Sequence, residues 1–145
     1  MSKDAFSLSE FLPYQLSIAS NAVSNRIARV YHDKFGLKVT EWRVMAILGD
    51  AGALTQRDLT ARTLMDKVAV NRACKTLEQR GLLARLPNKQ DGRSHHLQLT
   101  EQGTATHAKI VPLAKEVERE LLAPLGKEQQ AQFRSLLEQI RTQAG

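Results

Sequence analysis

Five side chains able to address the edge of a base pair, Val68, Asn71, Arg72, Lys75 and Gln79, recur on one side of a short segment. At about 100° per residue they point away from Val70, Ala73, Cys74 and Leu77, which fall at the i, i+3, i+4, i+7 spacing of a buried helical stripe. An arginine such as Arg72 can bond a guanine edge in bidentate fashion. Asn71 can address adenine, and Val68 can touch a thymine methyl. Lys67 and Thr55 stand where phosphates would lie, beside helix amino termini that contribute their own donors. Taken alone, such a face also suits an ordinary solvated helix. The adjoining segment decides the matter. Leu82 to Leu86 reads as a strand, Asn88 to Arg93 as a polar turn carrying Lys89, Asp91 and Arg93, and His95 to Leu99 as a second strand. Two helices joined by a tight turn, followed by a strand, a basic turn and a strand, make a winged helix-turn-helix. The second helix of the pair is the candidate reader of the major groove.

Other chemistries are poorly served. There is no G-x-S-x-G, phosphate loop, H-E-x-x-H or dinucleotide fingerprint, and the carboxylates scatter over polar helix faces, so an enzyme is not expected. His95 and His96 are neighbours on a strand and point to opposite faces, which argues against a shared metal ion. Cys74 is the only cysteine. It excludes an internal disulfide and a cysteine zinc cage, and its place on the inward stripe makes it a structural thiol. No cofactor is expected.

The elements that must position this face follow from periodicity. Leu12, Leu16, Ala19, Val23, Ile27 and Val30 mark a long amphipathic helix from about Phe11 to Lys34, with Pro13 in its first turn and Gly36 as a left-handed cap. Thr40 is expected to cap a second helix containing Trp42, Met45, Ala46 and Leu48, with Glu41 in its first turn. Thr55-Gln56-Arg57-Asp58 opens a short helix that buries Leu59. After a break at Thr63-Leu64-Met65, Asp66 caps the reading helix. Gly81 ends it, with Leu77 and Leu82 touching as in a Schellman cap. Thr100-Glu101 starts a helix running to about Leu122, in which Pro112 should produce a kink. Pro124-Leu125-Gly126 interrupts the chain, and a last helix buries Phe133, Leu136, Leu137 and Ile140.

Charge follows the same division. The chain has 145 residues, 42% of them apolar, and a net charge of +6. Residues 54–100 hold nine Lys/Arg against four Asp/Glu, a net of +5. That excess suits a polyanion, although a basic soluble face would show it too. The segments on either side are close to neutral and carry more apolar positions than a small winged module can cover, which points to two-fold pairing of these arms. No apolar run approaches a membrane span, the first nine residues lack the pattern of a secretory signal, and the lone cysteine fits a reducing compartment, so a cytoplasmic location is expected.

The stretch LEQRGLLARLPNKQDGRSHHLQLTEQG, residues 77–103, resembles the signature of the MarR family, the multiple-antibiotic-resistance-regulator type. The shared elements are a leucine and Arg-Gly ending the reading helix, D-x-R in the wing, and L-T-E-x-G opening the next helix. The resemblance extends through EWRVMAIL and LTQRDLTARTLMDKVAVNRA, with Thr60 standing where such motifs usually carry alanine. It implies a mainly α fold with a small β-hairpin wing. Residues 37–103 would form the DNA-binding lobe, and residues 1–36 and 104–145 the dimerisation helices of a homodimer. It further implies that Arg93 enters the minor groove from the wing tip while Asp91 holds that turn. Most such proteins repress, and many leave DNA on binding aromatic acids, acyl-CoA derivatives or similar amphipathic anions. Arg26, Tyr31, His32, Trp42, Arg43 and His107 lie on helices that should meet between the two lobes, where the family holds effectors. Arg26 and Arg43 would pair an acidic ligand. The expected function is a sequence-specific double-stranded DNA-binding regulator of transcription, probed against the alternative of an architectural, low-specificity DNA binder without effector control.

Overall fold

A computed structural model describes residues 5–87 and 95–145. The described chain runs from a 3-10 turn, Leu8–Glu10, into α1 (Leu12–Phe35) and α2 (Val39–Ala51). There follow β1 (Leu54–Thr55), α3 (Gln56–Thr63), α4 (Lys67–Gln79), β2 (Leu83–Pro87) and β3 (His95–Leu99). Two further helices, α5 (Glu101–Leu122) and α6 (Lys127–Ala144), complete it. The architecture is mainly α with a small three-stranded antiparallel sheet of order β1-β3-β2. No helix among the described residues is long and apolar enough to cross a membrane.

Local chemistry sets most boundaries. Gly36 adopts φ 63° and returns its amide to the His32 carbonyl, closing α1. Side-chain oxygens of Thr55, Asp66 and Thr100 each accept from the third amide beyond them and start α3, α4 and α5. α4 ends as the pattern requires. Gly81 lies at φ 74°, the Leu82 amide reaches back to the Leu77 carbonyl at 2.9 Å, and the Gly81 amide reaches Glu78 at 3.0 Å.

Four expectations are corrected. α2 begins at Val39, not after Thr40, because the Glu41 carboxylate turns back to accept the Lys38 amide at 3.0 Å and caps that end itself. The strand β1, unexpected from sequence, pairs Leu54 with Leu97 and Thr55 with His96. β2 runs from Leu83 to Pro87 rather than from Leu82 to Leu86, with Leu83 opposite Leu99 and Pro87 opposite His95. Within one protomer α6 buries nothing. Phe133, Leu136, Leu137 and Ile140 stay 49%, 51%, 43% and 47% exposed; Phe133 and Leu137 face an open cavity shared with Val23 and Ile27 of α1 and Leu121 and Leu122 of α5. α5 continues as one helix through Pro112.

The core lies where α2, α4 and the sheet meet the end of α1 and the first half of α5. Val44, Met45, Leu59, Val70, Cys74, Leu77, Leu97 and Ile110 are all fully buried there. The inward stripe of α4 is thereby fixed and its opposite side left in solvent.

Candidate nucleic-acid interface

α3 and α4 form the helix pair, joined through Leu64, a non-glycine residue held at φ 58°. Because Val70, Ala73, Cys74 and Leu77 are buried, Val68, Asn71, Arg72, Lys75 and Gln79 all emerge on the exposed side, Val68 at 64%. Lys67 is exposed at the first residue of α4, beside the amides that the Asp66 cap leaves open. Thr55 is half-buried. Its hydroxyl accepts the Asp58 amide at 3.2 Å, so the hydroxyl proton stays available to a phosphate oxygen. A groove of about 500 Å³ opens between the two helices, lined by Gln56, Arg57, Thr60, Lys67 and Asn71. Lys89, Asp91 and Arg93 lie outside the described residues. The strands on either side pair from Leu83 with Leu99 to Pro87 with His95, which sets the base of the hairpin beside α4.

Thr60 is half-buried. Its hydroxyl donates to the Gln56 carbonyl at 2.7 Å one turn back, so the extra polar group is satisfied inside its own helix. Sequence reasoning missed the polar residues that brace α4 from behind. Arg85 on β2 donates Nε to Glu78 at 2.8 Å and Nη1 to Gln56 Oε1 at 3.2 Å. Gln56 in turn donates Nε2 to Asn71 Oδ1. Arg80, just past α4, donates to the carbonyls of Phe35 at 2.7 Å and Gly36 at 3.0 Å, at the end of α1. Only the alternation of Arg85 along its strand hinted at any of this, since the partners lie 7 to 45 residues apart.

The six residues grouped as effector contacts divide. Tyr31 and Trp42 pack with ring centres 5.7 Å apart and line, with Arg43, a cavity of about 180 Å³ between α1 and α2. Burial raises the Tyr31 hydroxyl above its usual pKa, with the Arg43 charge acting in the opposite direction. His107 stacks on Trp42 at 5.6 Å, and burial lowers its pKa. It faces a separate cavity beside Gly49, where an added Cβ would lie 2.3 Å from the ring. Arg26 is turned to an ion pair with Glu120 at 3.0 Å, and His32 lies exposed beside Asp33. Neither lines the cavity, because helix geometry directs them to other faces of α1. Cys74 is fully buried, its pKa pushed up to about 11 first by burial, with Glu78 adding to this and Arg85 opposing it.

Comparison with known proteins places this geometry. A family model described as MarR family matches residues 35–94. The chain is 28% identical, over 128 residues, to the HTH-type transcriptional regulator PecS of Dickeya dadantii (strain 3937), covering 86% of this chain and 76% of PecS. A MarR/EmrR family transcriptional regulator from Acinetobacter sp. ADP1 superposes with a TM-score of 0.85 at 25% identity, covering 96% of this chain and 98% of its own. Bordetella bronchiseptica BpsR, whose DNA binding is regulated by 6-hydroxynicotinic acid, shares the fold at a TM-score of 0.82 and 23% identity, covering 94% and 97% of the two chains.

Proposed function

The chain belongs to the MarR family of transcriptional regulators, and from that premise we propose that it is a dimeric, sequence-specific repressor released from its operator by a small aromatic acid. The observation that carries the reading is the two-sided character of α4. One side is locked into the core, while the other holds Val68, Asn71, Arg72, Lys75 and Gln79 in solvent. Arg72 reads a guanine edge, Lys67 and Thr55 hold phosphates, and Arg93 enters the neighbouring minor groove.

Two further features support the finer reading. Leu12, Leu16 and Val23 on α1, and Phe133, Leu136 and Ile140 on α6, are each 40% exposed or more. A second copy of the chain would cover them, making residues 1–36 and 104–145 the dimer arms and residues 37–103 the DNA lobe. The cavity at Tyr31, Trp42 and Arg43 offers two aromatic faces and one guanidinium. Its volume of about 180 Å³ suits a single-ring carboxylate better than a CoA thioester.

The test is a binding titration of Arg72→Ala and Arg93→Ala against an operator library at two salt concentrations. Arg72→Ala should flatten the preference at one symmetric pair of positions, by ~1–3 kcal/mol. Arg93→Ala should weaken binding to nearly all sequences and reduce the salt slope while leaving that preference in place. A parent protein with no preference between sequences would support the architectural alternative instead. For the effector, saturable quenching of Trp42 by aromatic acids must be accompanied by loss of DNA affinity. Quenching without that loss would refute coupling, because an effector has to bind the two states unequally.

A further inference from the structure

Asn71 is one of the residues offered to bases, and an asparagine amide is ambiguous. Its oxygen accepts, its nitrogen donates, and either end can be turned outward. The surrounding residues resolve the ambiguity. A guanidinium has donors and no acceptor, so the Gln56 atom that meets Arg85 Nη1 at 3.2 Å has to be the oxygen Oε1. Arg85 is itself held from the other side by the Glu78 carboxylate at 2.8 Å. With Oε1 taken, Gln56 turns Nε2 toward Asn71, and a donor there requires the Asn71 atom facing it to be the acceptor Oδ1. The direction of every bond in the series Glu78, Arg85, Gln56, Asn71 thus follows from the one group that cannot accept. Asn71 Nδ2 has no partner among the described residues, and the residue is exposed beside the groove between α3 and α4.

We propose that Gln56, fixed by Arg85, is a positioning residue for specificity: it turns the Asn71 carbonyl into the protein and leaves the NH2 group as the end presented to DNA. This rests on α4 being the reading helix, and it corrects the adenine contact expected of an unrestrained asparagine. In the major groove a lone donor matches O6 and N7 of guanine or O4 of thymine with no opposing group on the same base. On adenine it can reach only N7, beside the opposing N6 amino group, and on cytosine it meets only the N4 amino group, so the keto base is favoured. Each base pair has one keto and one amino base, so Asn71 selects the strand on which the keto base lies.

Gln56→Glu tests this directly. The carboxylate still accepts from Arg85, but toward Asn71 it now accepts rather than donates, and the Asn71 amide has to turn over and present Oδ1 to the groove. Position 56 is the first residue of α3, where a negative charge suits the helix dipole, so the fold should tolerate the change. Binding-site selection from a randomised duplex library should show a keto base enriched with the parent at one symmetric pair of positions. The preference should be about three- to tenfold, as one hydrogen bond of ordinary net strength supports. Asn71→Ala should abolish that preference, and Gln56→Glu should invert it to an amino base. Gln56→Ala, which frees the amide, should let adenine compete. Overall weaker binding by Gln56→Glu would leave the inversion readable, because preference is measured as a ratio. Adenine selected by the parent through Asn71, or the same keto base selected by parent and Gln56→Glu, overturns the proposal while α4 remains the reading helix. A parent with no base preference anywhere overturns the proposed function, and this inference with it.

Discussion

Gly103 is the third residue of α5, and its environment makes a single added methyl group expensive. A Cβ built there lies 2.0 Å from the Leu82 carbonyl oxygen, about 1.4 Å short of the 3.4 Å at which ordinary contact begins. The oxygen cannot rotate away. It belongs to the backbone just before β2 and accepts the Thr100 amide at 3.1 Å, while the Thr100 hydroxyl holds the Gly81 carbonyl at 2.6 Å. Gly103→Ala must therefore move the start of α5 away from the end of α4. Overpacking of this kind costs ~1–3 kcal/mol, and a rigid backbone neighbour puts the cost near the top of that range. Alanine recovers up to ~1 kcal/mol through helix propensity. The net loss is about 2 kcal/mol, or a fall in Tm of roughly 4–8 °C at 2–4 °C per kcal/mol. Thermal unfolding of parent and variant at equal protein concentration measures it. Gly126→Ser serves as the control, since nothing lies within 4 Å of a Cβ there and serine caps a helix at least as well as the glycine it replaces. A Gly103→Ala protein as stable as the parent, with the control unchanged or improved, would refute the argument from the Leu82 carbonyl.

Sedimentation of the parent at micromolar concentration should give about twice the chain mass of 16.2 kDa. Leu136→Asp should shift it toward the monomer, whereas a monomeric parent would sink the arm-pairing reading. With a thiol pKa of about 11, Cys74 is almost entirely protonated at pH 7, so DNA binding should be insensitive to mild peroxide and indifferent to Cys74→Ser. Release of the parent by peroxide, with the serine variant spared, would contradict this. Burial holds the His107 pKa below the ordinary 6.5, so the unfolded chain takes up its proton more readily than the folded one. Its contribution to stability is complete above about pH 6.5 and is lost as the pH falls through that value toward the lowered one. Urea midpoints should therefore drop on acidification, and less steeply in His107→Gln; parallel slopes for the two proteins would dismiss the histidine as the cause.

What could be read before folding was whatever a single helix or cap encodes. The stripe of Val70, Ala73, Cys74 and Leu77 fixes the outward face of α4 by rotation alone, and Thr55, Asp66 and Thr100 announce their helices because a cap acts on amides three residues away. The start of α2 was misread because Glu41 caps it from inside the helix, where Thr40 looked the better candidate. β1 has two residues, too few for alternation to register. The candidate effector residues separate for a different reason. Periodicity puts Arg26 and His32 on α1 but does not reveal that Glu120, 94 residues later, claims the guanidinium of Arg26. The brace from Glu78 through Arg85 and Gln56 to Asn71 was invisible for the same reason. It unites a helix end, a strand and a second helix that only the assembled lobe brings together.

Arg80 carries a consequence for how far apart two such proteins can hold their reading helices. Its guanidinium fastens the end of α4 to the carbonyls of Phe35 and Gly36 where α1 closes, so α4 is tied to α1 and not only to the elements packed around it. In a dimer paired through the arms, α1 acts as the limb of a caliper and Arg80 as the rivet. The gap between the two tips is then metered by arm packing, and one base pair amounts to about 3.4 Å of travel. Anything that spreads the limbs by that distance moves one half-site out of phase with the other without altering a single contact to a base.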